Sequence, residues 1–274
     1  MSNRKEYRSK KKFDGISFSF GKNWQNYLNT LNRRNIQYAI KSLKDFVGDI
    51  KNKKCLDIGS GSGLSSFSMY VLGAKKIVSF DVDLSSVECT KFLFKSAKSP
   101  ENWEVFHGSI LNNDFVSKLG KFDLVYSWGV LHHTGKMWKA IKISSSLVVQ
   151  NGLFCIAIYN RTKTSSIWLK IKKFYNSIPY IGKIIADNIL FSMLYFLYPL
   201  LTFRNPFKYI KSYETKRGMK PMIDVKDWLG GYPYDYASVE EIVSFVQNLN
   251  FQLLKVKKIR FNGCNEFLFL KKVI

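Results

Sequence analysis

The run Leu56-Asp57-Ile58-Gly59-Ser60-Gly61-Ser62-Gly63-Leu64 constrains this chain more than any other feature. Lys54 to Ile58 reads as a short apolar strand, and three closely spaced glycines follow at once. Glycines at that place let the backbone turn sharply and come close to a ligand. A helix from Leu64 to Leu72 would follow, its unpaired N–H groups presented to a carboxylate or phosphate. Strand, glycine turn and helix in this order form the opening unit of a parallel sheet with helices on both faces.

The alternation continues along the chain. Lys76 to Phe80 is a second strand ending at Asp81, and Ser85 with Glu88 suggests a capping box opening a helix to about Lys98. Trp103 to His107 and Phe122 to Ser127 are further strands. A helix from Trp138 to Val149 and the turn Asn151-Gly152 lead to a fifth strand, Leu153 to Tyr159. The pattern stops at Asn160 and resumes at Ser238, where Ser238 and Glu241 form another capping box for a helix to about Leu249. Phe251 to Ile259 and Glu266 to Lys271 flank Asn262-Gly263 and read as an antiparallel hairpin. The expected fold is α/β: a doubly wound Rossmann-like sheet, mostly parallel with an antiparallel C-terminal hairpin, plus a mainly helical insertion. Its expected parts are a basic mobile arm (1–22), a ligand-binding core with N-terminal helices (23–160), a helical lid (161–237) and the C-terminal part of the core (238–274).

Two carboxylates sharpen the ligand. Asp57 precedes Gly59 by two residues and can receive an ammonium group. Asp81 ends the second strand, where a carboxylate accepts both hydroxyls of a ribose. S-adenosylmethionine (SAM) carries an ammonium, a carboxylate and a ribose. A dinucleotide site needs Gly or Ala at the third position of Gly-x-Gly-x-x-Gly, and Leu64 stands there, which favours SAM over NAD.

The fourth-strand region reads Phe122-Asp-Leu-Val-Tyr-Ser-Trp-Gly-Val-Leu-His-His-Thr-Gly135. With the glycine loop, Asp81 and Gly108-Ser109-Ile110, it resembles the class I SAM-dependent methyltransferases, and within them the broad group that includes quinone-biosynthesis O- and C-methyltransferases. The resemblance rests on motifs over about residues 50 to 160 and on architecture over 238 to 274. Ile158-Tyr-Asn160, Ile171-Lys-Lys-Phe-Tyr-Asn176 and Asp227-Trp-Leu-Gly-Gly-Tyr-Pro-Tyr234 look like a bacterial methyltransferase subgroup without a settled substrate. The resemblance implies that Gly59, Ser60 and Gly61 lie against the methionine part of SAM and that Asp57 faces its amino group. It also implies that Asp81 holds the ribose, that Val82 packs on the adenine, and that Ser109 and Ile110 flank it. Many relatives carry an Asp where Ser109 stands. Ser127 and Trp128 are implied to line the floor near the methyl group.

Methyl transfer from a sulfonium is an in-line displacement, for which alignment and exclusion of water matter most. A base helps when the acceptor is a hydroxyl or an acidic carbon. His132 and His133 are the candidates, with His132 slightly preferred; the alternative for each is a local structural role. No Asp/Asn-Pro-Pro-Tyr/Phe sequence suited to a planar exocyclic amine occurs, no Pro-Cys follows the fourth strand, and no residue cluster has metal-ligand spacing. The acceptor is expected to be a small molecule methylated at O or C, either apolar or else sugar-linked or phosphorylated and held by the Lys and Arg of the insertion, with RNA methylation or non-catalytic SAM binding as the rivals.

The insertion leaves the carboxyl end of the sheet, so it can cover the methyl group. Tyr232 and Tyr234 either wall the substrate pocket or pack the lid onto the sheet. The net charge of +23 suits polyanions, an anionic membrane surface or nucleic acid, unless it only reflects lysines spread along the chain. The apolar run Ile189 to Phe203, interrupted by Pro199, is read foremost as buried packing and otherwise as an interfacial helix. Four scattered cysteines without CxxC spacing fit a cytoplasmic protein, with peripheral membrane contact as an option.

Overall fold

The computed structural model describes residue 18 and residues 20–28, 31–217, 220–260 and 262–273. Most of the expected basic arm, residues 1–17, lies outside them, and its last residues are helical: helix α1 spans Phe20–Leu28. Helix α2, Arg33–Val47, follows and opens with a capping box between Asn32 and Asn35.

Seven strands form one sheet in the order β3-β2-β1-β4-β5-β7-β6. They are β1 Lys54–Ile58, β2 Lys76–Asp81, β3 Trp103–His107, β4 Phe122–Trp128, β5 Val148–Tyr159, β6 Phe251–Lys257 and β7 Cys264–Lys271. β1 to β5 pair in parallel. β7 runs antiparallel to both β5 and β6, so the hairpin inserts its second strand into the sheet and leaves β6 at the edge. The order reverses between β1 and β4, where an open α/β sheet forms its ligand crevice.

The central strands bury both faces. Leu56, Val78, Val125 and Ile156 join a core with helix α6 (Met137–Ser146) and helix α12 (Val239–Gln247). Cys55, Ile77, Leu124 and Cys155 face the opposite core, shared with α2 and helix α3 (Leu64–Val71). Helix α4 (Leu84–Ser96) lies on that side through Leu93. A four-residue helix, α5, spans Asn113–Val116.

Two local expectations are corrected. Ser85 and Glu88 do not cap α4: Asp83 is the N-cap, its Oδ1 accepting from Ser85 N at 2.8 Å. The carboxylate two residues before Ser85 is the better acceptor for the orphan N–H groups, and Glu88 instead pairs with Lys91. Asn151-Gly152 does not precede the fifth strand but lies within it. Asn151 takes a left-handed φ of 57°, and the β4–β5 register shifts there, as a bulge allows. The Ser238–Glu241 capping box forms as read.

Between β5 and α12 the chain is helical: α7 Ser165–Ser177, α8 Tyr180–Ser192, a π turn Met193–Leu197, α9 Tyr198–Leu201, α10 Pro206–Arg217 and α11 Pro221–Gly230. These helices have their own small core around Tyr175, Tyr195, Val225 and Leu229. Lys172 Nζ donates to the Trp228 carbonyl, and Asn176 Nδ2 donates to Gly230 O at 2.8 Å. Such bonds satisfy carbonyls left over at the end of α11. Both ends of the stretch leave the sheet together: Asn160 bridges Ala237, and Arg161 Nη2 pairs with Glu241 at 2.8 Å. The apolar run within it is not packed away. Ile189, Leu197, Leu200, Leu201 and Phe203 are exposed, contrary to the burial favoured from composition.

Candidate active site

The glycine loop closes over the ends of β1 and β2. Gly59, Gly61 and Gly63 all have positive φ (71°, 54° and 80°), which L side chains adopt only with strain. Space forbids side chains as well. A Cβ at Gly59 would sit 2.4 Å from Val130 Cγ1, and one at Gly61 would sit 2.9 Å from Trp24 Nε1. The loop is thus pressed between the segment after β4 and helix α1.

Asp57 is buried under this loop. A directed hydrogen-bond chain holds it: Trp103 Nε1 donates to Ser79 Oγ (2.8 Å), Ser79 to Ser66 Oγ (2.7 Å), and Ser66 to Asp57 Oδ2 (2.5 Å). Burial pushes the Asp57 carboxyl up to about 7, against the Ser66 bond and with a further push from Asp81. Asp81 Oδ2 accepts from Gly61 N at 3.0 Å and its Oδ1 from Asp83 N at 2.9 Å. Each oxygen keeps a second lone pair. Burial raises Asp81 to about 6, against these backbone bonds.

Asp57, Gly59, Ser60, Gly61, Asp81, Val82, Ser109, Trp128, His133 and Tyr232 line one cavity of about 1970 Å³. Ile110, Ser127, His132 and Tyr234 do not line it. Ile110 packs in the core under the sheet, and Ser127 Oγ donates to Ile58 O at 3.1 Å. His132 is fully buried against the Tyr159 ring, with burial holding its basicity well below the usual range. Tyr234 is 3% exposed and its ring packs tilted between those of Tyr159 and Tyr236, while Tyr232 reaches the wall.

His133 is the histidine on the cavity wall. Its Nδ1 lies 2.6 Å from the Pro233 carbonyl, so Nδ1 carries the proton and Nε2 is left as an acceptor. Burial lowers its pKa to about 3; the Pro233 bond opposes this and the Lys172 charge adds to it. The imidazole is neutral across the working pH range.

Sequence reading missed the far end of the cavity. Tyr159, Trp168, Trp228, Leu190, Leu194 and Tyr195 line it, together with Asp224 and Asp227. Lys172 lies behind these rings, with Nζ 4.3 Å from the Trp228 centroid and 4.9 Å from that of Tyr234. Burial pulls its pKa down to about 7, with Asp227 opposing. Also unforeseen was α1 as a cover. Phe20, Trp24 and Tyr27 line the cavity, Gly21 N donates to Asp83 Oδ2 at 3.0 Å, and Asn23 Nδ2 donates to Ile223 O at 3.0 Å. The aromatic periodicity of that helix was a signal, but it does not reveal which partner it covers.

The donor set suits SAM: a glycine cradle, two carboxylates with raised pKa that a cation would lower, and a wall of apolar groups around them. Residues 49–212 match the family described as "Methyltransferase domain". The ubiquinone biosynthesis O-methyltransferase of Pelagibacter ubique is 34% identical over 119 residues, 43% of this chain and 47% of that protein. A tRNA U34 carboxymethyltransferase of Campylobacter hominis is 36% identical over 107 residues, 38% of this chain and 35% of that protein. The chain therefore spans less than half the length of these curated relatives. Among solved structures, magnesium protoporphyrin IX methyltransferase from Synechocystis PCC 6803 with bound SAH (S-adenosylhomocysteine) shares the fold. Its TM-score is 0.55 at 12% identity, over 92% of this chain and 94% of that one.

Proposed function

The chain belongs to the methyltransferase-domain family, whose cofactor is SAM, and on that premise we propose that it methylates an oxygen or carbon of an apolar small molecule. The observation that carries this reading is the continuity of one cavity from the glycine loop to the aromatic wall of the helical stretch. Binding pockets for single small molecules run from roughly 300 to 1,000 Å³, so this volume has room for cofactor and acceptor together.

SAM, when bound, supplies an electrophilic methyl group on a positively charged sulfur. The chain's residues do the rest. Gly59 and Gly61 keep the cradle open by having no side chain, and Asp57 and Asp81 provide negative charge where the ammonium and ribose belong. Trp128 and Tyr232 exclude water on the acceptor side, which aligned displacement needs. His133 Nε2 is placed to accept a hydrogen bond from the hydroxyl or acidic carbon to be methylated, and the proton released on methylation passes on to solvent. With so low a pKa it acts by orienting that group more than by holding its proton. Residues 161–237 act as the lid and supply the acceptor end.

The test is calorimetric titration of nucleic-acid-free protein with SAH, beside Asp81→Ala, followed by labelled methyl transfer into apolar quinols and phenols. Micromolar binding lost in Asp81→Ala, with label in the small molecule, is the expected result. Absence of SAH binding by folded wild type would refute the reading. Transfer to RNA is the second reading, favoured by the net charge of +23. It predicts label in tRNA or rRNA and binding that weakens steeply with salt.

A further inference from the structure

The helical stretch presents an apolar face that no part of the described chain covers. α8, the π turn and α9 form one helical run, Tyr180–Leu201. Ile181, Ile185, Ile189, Met193, Leu197 and Leu201 recur every four residues along it, and all are exposed. Steps of four advance each residue by about 40° around an α-helix, and the π turn takes back part of that drift, so the six form an exposed band that winds along the run. Ile181 is 72% exposed and Leu201 70%; beyond the run Phe203 is fully exposed and Phe207 73%. Contiguous apolar surface of this kind marks an interaction site.

The charge around the band selects the partner. Between 161 and 211 the chain has nine Lys and Arg, of which Lys172 is buried and Arg161 pairs with Glu241, but a single acid, Asp187. Asp187 is buried and accepts from Tyr175 Oη at 2.8 Å, so no carboxylate in that interval reaches the surface. Arg204 and Lys208 follow the run directly and are exposed, as is Lys170 on the neighbouring helix. A second copy, itself carrying +23, would meet this surface with like charge. An anionic bilayer offers apolar depth and negative headgroups together.

The run is long and apolar enough to cross a membrane, yet its other side is committed to protein. Asp187 is bonded to α7, and Tyr195 packs against Tyr209 and Tyr213 of α10. That argues for lying on the surface rather than spanning it. On the inner side, Leu190, Leu194 and Tyr195 line the cavity that begins at the glycine loop. We propose that the Tyr180–Phe207 face docks on an anionic lipid bilayer and sets the acceptor end of the cavity one helix away from the lipid. The docking stands on the surface itself; its use in delivering an apolar acceptor rests on the function proposed above.

The test uses the full chain, freed of nucleic acid, in sedimentation with two kinds of vesicle. One is phosphatidylcholine alone, and the other contains about 30% phosphatidylglycerol. Ile185→Ser/Leu201→Ser removes apolar character at two exposed positions outside the cavity and leaves the charge unchanged. Wild type is expected to bind the anionic vesicles at least about tenfold more strongly than the neutral ones. The double variant should lose about tenfold or more of that binding and still titrate normally with SAH. Equal vesicle binding by wild type and variant would show that scattered charge, not this face, holds the lipid. No binding by wild type, or a wild-type dimer that the variant converts to monomer, would equally overturn the proposal. SAH titration separates the two readings: intact SAH binding without docking removes only the lipid face, and docking without SAH binding removes only the cofactor site.

Discussion

Asp57→Asn tests the electrostatics of the site most directly. The Asp57 side chain is buried, and its carboxyl titrates at about 7 where an unfolded Asp titrates at 3.8. A group whose folded pKa is raised contributes stability at low pH and loses it as pH rises through the folded value. Between pH 5 and pH 8 wild type should therefore lose about 2–3 kcal/mol through this one group, by the linkage relation applied to those two values. Asn does not titrate, so the variant should lack that component. The cost of placing an amide in the same pocket, about 1–3 kcal/mol if its NH2 finds no partner, is the same at both pH values and cancels in the comparison. The assay is urea unfolding of both proteins without ligand at pH 5 and pH 8, read by tryptophan fluorescence. The stability difference, variant minus wild type, should grow by about 2–3 kcal/mol from pH 5 to pH 8. A difference that stays constant across this range would mean that Asp57 ionises normally, and the account of a desolvated carboxylate awaiting a cation would be wrong.

Gly61→Ala should lose SAH affinity at least tenfold, because φ of 54° costs an L residue about 1–2 kcal/mol and the new Cβ meets Trp24; titration of a variant with native circular dichroism checks it. SAH binding by wild type should weaken as pH falls through about 6, since Asp81 is protonated below that value and its carboxyl then has one acceptor oxygen fewer for the ribose hydroxyls. The slope should approach tenfold per pH unit, and a flat profile from pH 7 to pH 5 would count against its role. Lys172 has a depressed pKa, so wild type should gain stability as pH rises from about 7 towards 9. Lys172→Met should lack that gain in the same unfolding assay while retaining SAH binding.

The sheet was legible because each strand stands as a compact apolar run beside a turn, and the cofactor end because its glycines and aspartates sit at fixed offsets from β1 and β2. What failed was phase. His132 and His133 are neighbours in one tight turn, so only three-dimensional rotation decides which reaches the cavity. Ile110 and Ser109 divide in the same way between core and wall. The run Tyr180–Leu201 has apolar residues on every side, so periodicity gave no hint of which side would stay outside. The aromatic wall at the far end of the cavity joins Tyr159 to Trp168, Leu190 and Trp228 from separate helices, and no local pattern records such long-range packing.

The neck formed by Asn160, Arg161, Ala237 and Glu241 has a consequence for how such proteins diversify. Because the chain departs from the sheet and returns at one bridge, everything between is a closed excursion whose length barely affects the entropy of joining its ends. Insertions, deletions or wholesale exchange there leave β5 and α12 in register. On the function proposed above, the acceptor end can therefore change while the glycine loop and the ends of β1 and β2 keep their places.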